Sequence, residues 1–159
     1  MAGRRSAGIL LYRHGATGLQ VLLAHPGGPY WARRDVGAWS IPKGEVEEGE
    51  DPRAAAAREF AEELGSPLPE GEAIDLGSVR QKSGKQVRAW AVEGDLDADA
   101  IVSVVFTMPW PPRSGIEREF PEVDRAGWFD LATARVKLLP AQVPFVDRLE
   151  ERLLDALGR

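Results

Sequence analysis

The sequence predicts a mixed α and β domain of the α+β kind, and three observations carry the prediction. Short apolar runs bounded by glycine, proline and charged turns recur along the chain and read as strands. One helix with both of its ends written into the sequence interrupts them. An amphipathic stretch near the C-terminal end supplies a second long helix. No repeat, low-complexity tract or linker divides the series, so 1–159 reads as one domain.

The elements follow in order. Ser6–Tyr12 and Leu19–Ala24 are apolar runs joined by the glycine-containing turn RHGATG, a hairpin or a pair of adjacent strands. A long loop follows, HPGGPYWARRDVGAW, and its length marks it as functional or mobile. Trp39 to Lys43 is a short strand leading into Gly44. From Pro52 to Leu64 the chain is helical: Asp51 is an N-cap, Pro52 suits the first turn, and Gly65 is a left-handed stop. Phe60, Leu64, Ala57 and Ala61 share one side of that helix. Ala73–Gln81 and Val87–Glu93 are strands joined by KSGK. Ile101–Met108 is β-branched and reads as a buried strand. The prolines of Pro109–Phe120 exclude a central strand or a helix there. Val123–Phe129 is a strand, Leu131–Val136 a short helix after Asp130, and Pro140–Leu157 the amphipathic helix, its Val143, Val146, Leu149, Leu153 and Leu157 about one turn apart.

Composition narrows the function. The 43% hydrophobic and 28% charged fractions are those of a soluble globular protein with a proper core. There is no cysteine, hence no disulfide and no thiolate metal site, which is compatible with a reducing cytoplasm. No apolar run approaches the roughly 20 residues needed to cross a bilayer, and the basic N-terminal stretch has too short an apolar core for a signal peptide. With 20 basic against 25 acidic residues, the net charge of -5 argues against coating long nucleic acid. A small nucleotide needs only a metal and a few basic side chains. A homodimer is compatible with a chain of this size, though no stretch marks an interface.

The helix after Asp51 carries an anomaly. Glu59, Glu62 and Glu63 share a face, with Arg58 beside Glu62. Like charges at this spacing cost an isolated helix about 0.2–0.5 kcal/mol per pair. A hard divalent cation reverses that sign, since its ligands are oxygens; a solvated acidic face is the plain alternative. The spacing decides. Gly44, five residues, Glu50, seven residues, then Arg58-Glu59-Phe60-Ala61-Glu62-Glu63-Leu64-Gly65 resembles the Nudix box of the Nudix hydrolases at every fixed position. The single departure is Ser66, where the family prefers an aliphatic residue that packs behind the helix. The flank Trp39-Ser40-Ile41-Pro42-Lys43 also looks like that of many Nudix hydrolases.

The resemblance implies the Nudix fold, a mixed β-sheet sandwiched between α-helices. It also implies hydrolysis of a nucleoside diphosphate linked to another group, with Mg²⁺ or Mn²⁺. Physical chemistry agrees, because a pyrophosphate is highly anionic and water attack needs that charge neutralised. Glu59, Glu62 and Glu63 are the expected metal ligands, the Gly44 carbonyl joining them by resemblance. Glu59 is the first choice of general base. Arg58 is expected to pair with a box carboxylate and fix it, and Glu50 to serve that network or the helix start. Lys43 either contacts a phosphate or is a solvated loop lysine.

Later loops of the family often supply a further glutamate; Glu117, Glu119 and Glu122 are available, and Glu119 is taken. Trp31, Trp39, Trp90, Trp110 and Tyr30 are enough aromatics to stack a base, Trp31 and Trp39 being the candidates taken and Trp31 ahead because its loop is polar. His14 and His25 lack metal-ligand spacing and read as structural. A nucleoside triphosphate is the expected substrate, with a dinucleoside polyphosphate as alternative. A non-catalytic nucleotide sensor is disfavoured by the complete set of box glutamates.

Overall fold

The computed structural model describes residues 4–158; the first residues of the basic N-terminal stretch lie outside it. Eight strands and three α-helices follow one another along the chain: β1 (Arg5–Gly15), β2 (Gly18–Pro26), β3 (Lys43–Glu45), α1 (Pro52–Leu64), β4 (Ala73–Arg80), β5 (Gln86–Glu93), β6 (Val105–Pro109), β7 (Glu117–Pro121), β8 (Val123–Asp130), α2 (Leu131–Lys137) and α3 (Val143–Leu157). Short 3₁₀ turns lie at Ala98–Ala100 and Pro140–Gln142. Among the described residues no helix is long and apolar enough to cross a membrane.

Six strands form a mixed sheet in the order β4-β5-β1-β2-β8, with β3 paired to the first residues of β1. Both expected hairpins are present. β1 and β2 pair antiparallel from Tyr12↔Val21 to Gly15↔Gly18, and β4 and β5 from Ala73↔Val92 to Arg80↔Gln86. The central contact is parallel: β5 runs beside β1 from Arg5↔Gln86 to Tyr12↔Glu93.

Alternation of side chains divides the core in two. Ala7, Ile9 and Leu11 of β1, Leu22 of β2, and Trp90 and Val92 of β5 meet Ala55, Ala56, Phe60 and Leu64 of α1. The alternate residues Leu10, Tyr12, Val21, Leu23, Val87, Ala89 and Ala91 meet Phe145, Val146 and Leu149 of α3 and Ala134 of α2. Strands covered on both faces must be apolar at every position, which is why β1 and β2 read as unbroken runs.

Helix α1 has the bounds its caps dictate. The Asp51 carboxylate accepts from the Ala54 N–H at 3.1 Å, and Gly65 ends the helix at φ 75°. Its buried side is Ala55, Ala56, Phe60 and Leu64; Ala57 and Ala61 are only partly covered, so the packed stripe is rotated from the expected one. That rotation turns Glu59 and Glu63 towards β3.

Two expectations are corrected. Ile101–Met108 is not a buried strand: 101–104 is irregular, and β6, which alternates between exposed and partly covered, pairs in a separate two-stranded ribbon with β7, exposed except at Phe120. β-branched composition gives strand propensity here without burial, since β6 pairs only with β7 and no strand of the main sheet. The C-terminal helix starts at Val143 after the Pro140–Gln142 turn, and its last apolar residue, Leu157, is 85% exposed.

Phe60 is fully buried against the sheet. Phe60→Ala is therefore expected to cost about 3–5 kcal/mol of unfolding free energy in urea titration, whereas Leu157→Ala should lie within about 0.5 kcal/mol of the parent.

Candidate active site

The site forms where the end of β3, one side of α1 and the root of the β6–β7 ribbon converge. Gly44 sits in β3 opposite Ala7 of β1. A β-carbon at this position would fall directly on the Glu59 carboxylate, so glycine is what admits that side chain against the strand. One turn further along α1, Glu63 accepts from the Lys43 backbone N–H at 3.1 Å. Strand and helix are thus joined through two carboxylates.

Arg58 organises the remainder. Its Nε donates to Glu50 Oε2 at 2.9 Å and its Nη2 to Glu50 Oε1 at 3.0 Å, a bidentate fork. Nη1 donates to Glu59 Oε1 at 2.9 Å and reaches both Glu62 oxygens at 3.3 Å, while Nη2 also donates to the Glu45 carbonyl. Glu50 closes the loop by accepting from the Glu47 N–H at 3.0 Å. Those contacts hold the Glu50 carboxyl down at about 2, the Arg58 bond being the main cause. The same carboxylates raise the Arg58 guanidinium. Glu50 therefore has the structural role, and Arg58 positions Glu59 and Glu62.

The other carboxylates move the opposite way. Desolvation pushes Glu63 up to about 8 despite the Lys43 N–H. Glu59 is raised by desolvation and then by Glu62, and Glu122 by desolvation and then by Glu62. Burial also lowers the Lys43 ammonium, which has Lys85 on one side and Glu63 and Glu59 on the other. Glu59, Glu62, Glu63 and Glu122 thus form a mutually repelling group with one guanidinium among them.

Glu122 takes the place expected of Glu119. The segment before the ribbon lies along the end of α1: Val102 N–H donates to the Leu64 carbonyl at 3.1 Å and Val104 N–H to the Glu62 carbonyl at 3.0 Å. Glu122 N–H donates to the Val104 carbonyl at 2.9 Å, which fixes Glu122 beside the helix. Glu119 instead lies within the ribbon, paired with Thr107. What separates the two is where β7 ends, at Pro121, with Glu122 at the bend that follows it.

The aromatic candidates separate as well. Trp39 is 5% exposed, packed edge-to-face with His25 at 5.1 Å and Phe129 at 5.0 Å, with its Nε1 donating to Asp35 at 2.8 Å. It belongs to the core and offers no face to a ligand. Trp31 lies on the loop after β2, partly exposed, with the Arg34 guanidinium 5.4 Å above its ring. His25 is structural as read, though its partners were not foreseeable: Nδ1 meets Asp124 at 2.8 Å and Nε2 the Arg34 carbonyl at 2.6 Å, tying the loop to the start of β8.

Would these residues accept a divalent cation? Among the described residues, no three acidic or histidine side chains already converge as a cage. Glu59 and Glu62 lean on Arg58, and Glu63 on a backbone N–H. The donor set nevertheless fits one: four carboxylate groups with too little positive charge, three of them raised by burial and mutual repulsion, next to an open glycine backbone. All-oxygen ligation of this kind suits Mg²⁺ or Mn²⁺.

Comparison with known proteins accords with this geometry. An RNA pyrophosphohydrolase of Dinoroseobacter shibae is 28% identical over 139 residues, 78% of this chain and 77% of that one. A second RNA pyrophosphohydrolase, from Roseobacter denitrificans, is 66% identical over 35 residues, a match spanning 21% of this chain and only 22% of that relative. Among solved structures, a C. elegans Ap4A hydrolase binary complex superposes with a TM-score of 0.68 at 19% identity, covering 94% of this chain and 98% of that one. The family model of the NUDIX domain matches residues 3–149. With that match reaching from β1 into the first half of α3, and the acidic helix within it, this chain belongs to the NUDIX domain family.

Proposed function

We propose that this Nudix hydrolase, acting on phosphoanhydride bonds, cleaves nucleoside 5′-triphosphates in a divalent-metal-dependent reaction centred on α1. The observation that carries the proposal is the gathering of Glu59, Glu62, Glu63 and Glu122 at one end of that helix, held by Arg58 and the β3 backbone. Such a concentration of desolvated negative charge is unfavourable for stability alone, and a cation shared with a polyphosphate is what relieves it.

The residues take separate tasks. Glu59, Glu62, Glu63 and Glu122, with the Gly44 carbonyl, would hold Mg²⁺ or Mn²⁺. Bound there, the cation supplies the positive charge that neutralises the phosphates and acidifies water. Arg58 keeps Glu59 and Glu62 in place while its fork to Glu50 keeps it from swinging away. Glu59, its carboxyl raised by burial and then by Glu62, is the residue assigned to accept the proton of the attacking water. Lys43, whose ammonium is within the field of Glu63 and Glu59, is the cation available to a phosphate. Trp31, on the surface loop, is the aromatic available to a base.

A second reading is favoured by the D. shibae relative: a 5′-triphosphate carried on a longer chain. A dinucleoside polyphosphate is the third member of the same chemistry. A panel decides among them. The protein is incubated with Mg²⁺ and nucleoside triphosphates, dinucleoside polyphosphates, 5′-triphosphorylated RNA and nucleotide sugars, and the products are identified. Release of monophosphate and pyrophosphate from a free triphosphate is the expected result. Tight binding with no cleavage of any compound would replace the hydrolase by a sensor.

Glu63 provides a sharper test. Its folded pKa of about 8 exceeds its ordinary 4.5, so the metal-free fold holds an extra proton between those values. Stability from this group is full below about pH 4.5 and is lost as pH rises through about 8. Glu63→Gln keeps the shape without the charge. It should raise the thermal midpoint of the metal-free protein at about pH 9, leave it nearly unchanged at about pH 4, and lower turnover by at least about a hundredfold. Wild-type turnover in this variant would remove Glu63 from the ligand set.

A further inference from the structure

The β6–β7 ribbon has two unlike faces. Phe106 pairs with Phe120 and Met108 with Arg118, while Thr107 and Pro109 pair with Glu119 and Glu117. Alternation places the aromatic and basic members on one face and the acidic ones on the other. Glu122 lies at the bend that follows β7, and its N–H donates to the Val104 carbonyl at the root, so the ribbon is continuous with the candidate active site. The loop after β2 lies on this face with glycines at the closest points. A β-carbon at Gly27 would strike the Pro121 carbonyl, and one at Gly28 would meet the Phe106 ring at 2.9 Å.

At the outer end the loop and the ribbon present an aromatic pair. Tyr30 is 61% exposed, and its ring stands edge-to-face to Trp110 at 5.4 Å. Beside them the ribbon turns through Pro111–Ser114, closed by Ser114 N–H to the Pro111 carbonyl at 3.1 Å. The third residue of this turn is Arg113, at φ 62°, the sole non-glycine residue with positive φ among the described residues. Glycine would take that conformation without strain. A strained residue at an exposed tip indicates that the side chain is kept for what it does. Arg113 in this turn and Arg118 in β7 form no ion pair among the described residues. In a chain of net charge -5, arginines beside exposed aromatic rings are complementary to a base carried on phosphate.

We propose that Tyr30, Trp110 and Arg113 form a distal site for a second nucleoside, the base stacking on the rings and the guanidinium meeting its phosphate. The site rests on the phosphoanhydride hydrolase reading above and adds a preference for substrates extended beyond one nucleotide. The five strand residues of β7 separate the tip from Glu122, roughly 17 Å at about 3.3 Å per residue. At that separation the tip meets the far end of a long substrate rather than the nucleotide being cleaved. The shared chemistry is a nucleobase and phosphate on a chain leaving the active site, supplied by either a dinucleoside polyphosphate or the 5′ end of an oligonucleotide.

The test compares wild type, Trp110→Ala and Arg113→Gly on three substrates: ATP, diadenosine tetraphosphate and a 5′-triphosphorylated oligoribonucleotide. Both variants should raise KM about tenfold on at least one of the two extended substrates, the weight of one aromatic–base stack. ATP hydrolysis should be unchanged. The substrate affected identifies the source of the second nucleoside. Arg113→Gly should meanwhile hold or raise the thermal midpoint, since it relieves the left-handed backbone, which separates lost binding from lost folding. Equal losses on all three substrates, or none on either extended one, would overturn the site. Dissociation constants for the same compounds are measured in parallel. If wild type hydrolyses nothing, the hydrolase reading fails by itself, and the distal site then stands only if both variants weaken binding of an extended compound about tenfold.

Discussion

The constraint on which this structure depends is electrostatic: several carboxylates occupy one end of a helix and must be kept there. Arg58 is the centre of the solution. Its guanidinium spans three glutamates and a backbone carbonyl, and the bidentate fork to Glu50 fixes its plane. Lysine could carry the charge but could not hold that plane. Glu50, although a carboxylate, behaves as part of the clamp: its carboxyl is held near 2 and stays ionised, so Arg58 retains an anchor at any ordinary pH.

The fold supplies what the clamp cannot. β3 is only three residues long, yet its pairing with the start of β1 puts Gly44 under Glu59 and the Lys43 N–H on Glu63. Close approach is possible because Gly8 has no side chain where the Pro42 carbonyl and Lys43 pass over it. From the other side, Val102 and Val104 dock on the terminal carbonyls of α1 and deliver Glu122. The helix end that would otherwise leave carbonyls unsatisfied is used as a socket for the segment bearing the fourth carboxylate. Capping, strand pairing and site assembly are in this sense one set of hydrogen bonds.

What could be read from the residues follows from how local the determining interactions are. α1 was legible to its exact ends because Asp51, Pro52 and Gly65 act within one turn. Both hairpins were legible because their turns and apolar runs are adjacent. The parallel contact of β1 with β5 was not, since it joins segments some eighty residues apart. Burial misled at 101–108, where β-branched residues form an outlying ribbon. Trp39, a stacking candidate at the start of a short strand, has His25 and Phe129 as its neighbours in space, which make it core. Glu119 lies within β7 and Glu122 at the bend after it, a boundary that the prolines around this segment disguise.

Desolvation and strain then sort themselves by place. The carboxylates of α1 are raised where the chain could have used neutral side chains at no cost to packing, and Arg113 is left-handed where glycine would be relaxed. Neither feature helps the metal-free chain to fold, and proteins carry such features where binding compensates for them. The two lie at opposite ends of the ribbon, and the aromatic face runs between them. A rigid ribbon rooted by backbone bonds on the α1 terminus fixes the separation of its ends, so a ligand touching both must match it in length. Loop contacts alone would not impose this. The position of Glu122 at the root makes the same strand both a supplier of charge to the site and a measure of what extends from it.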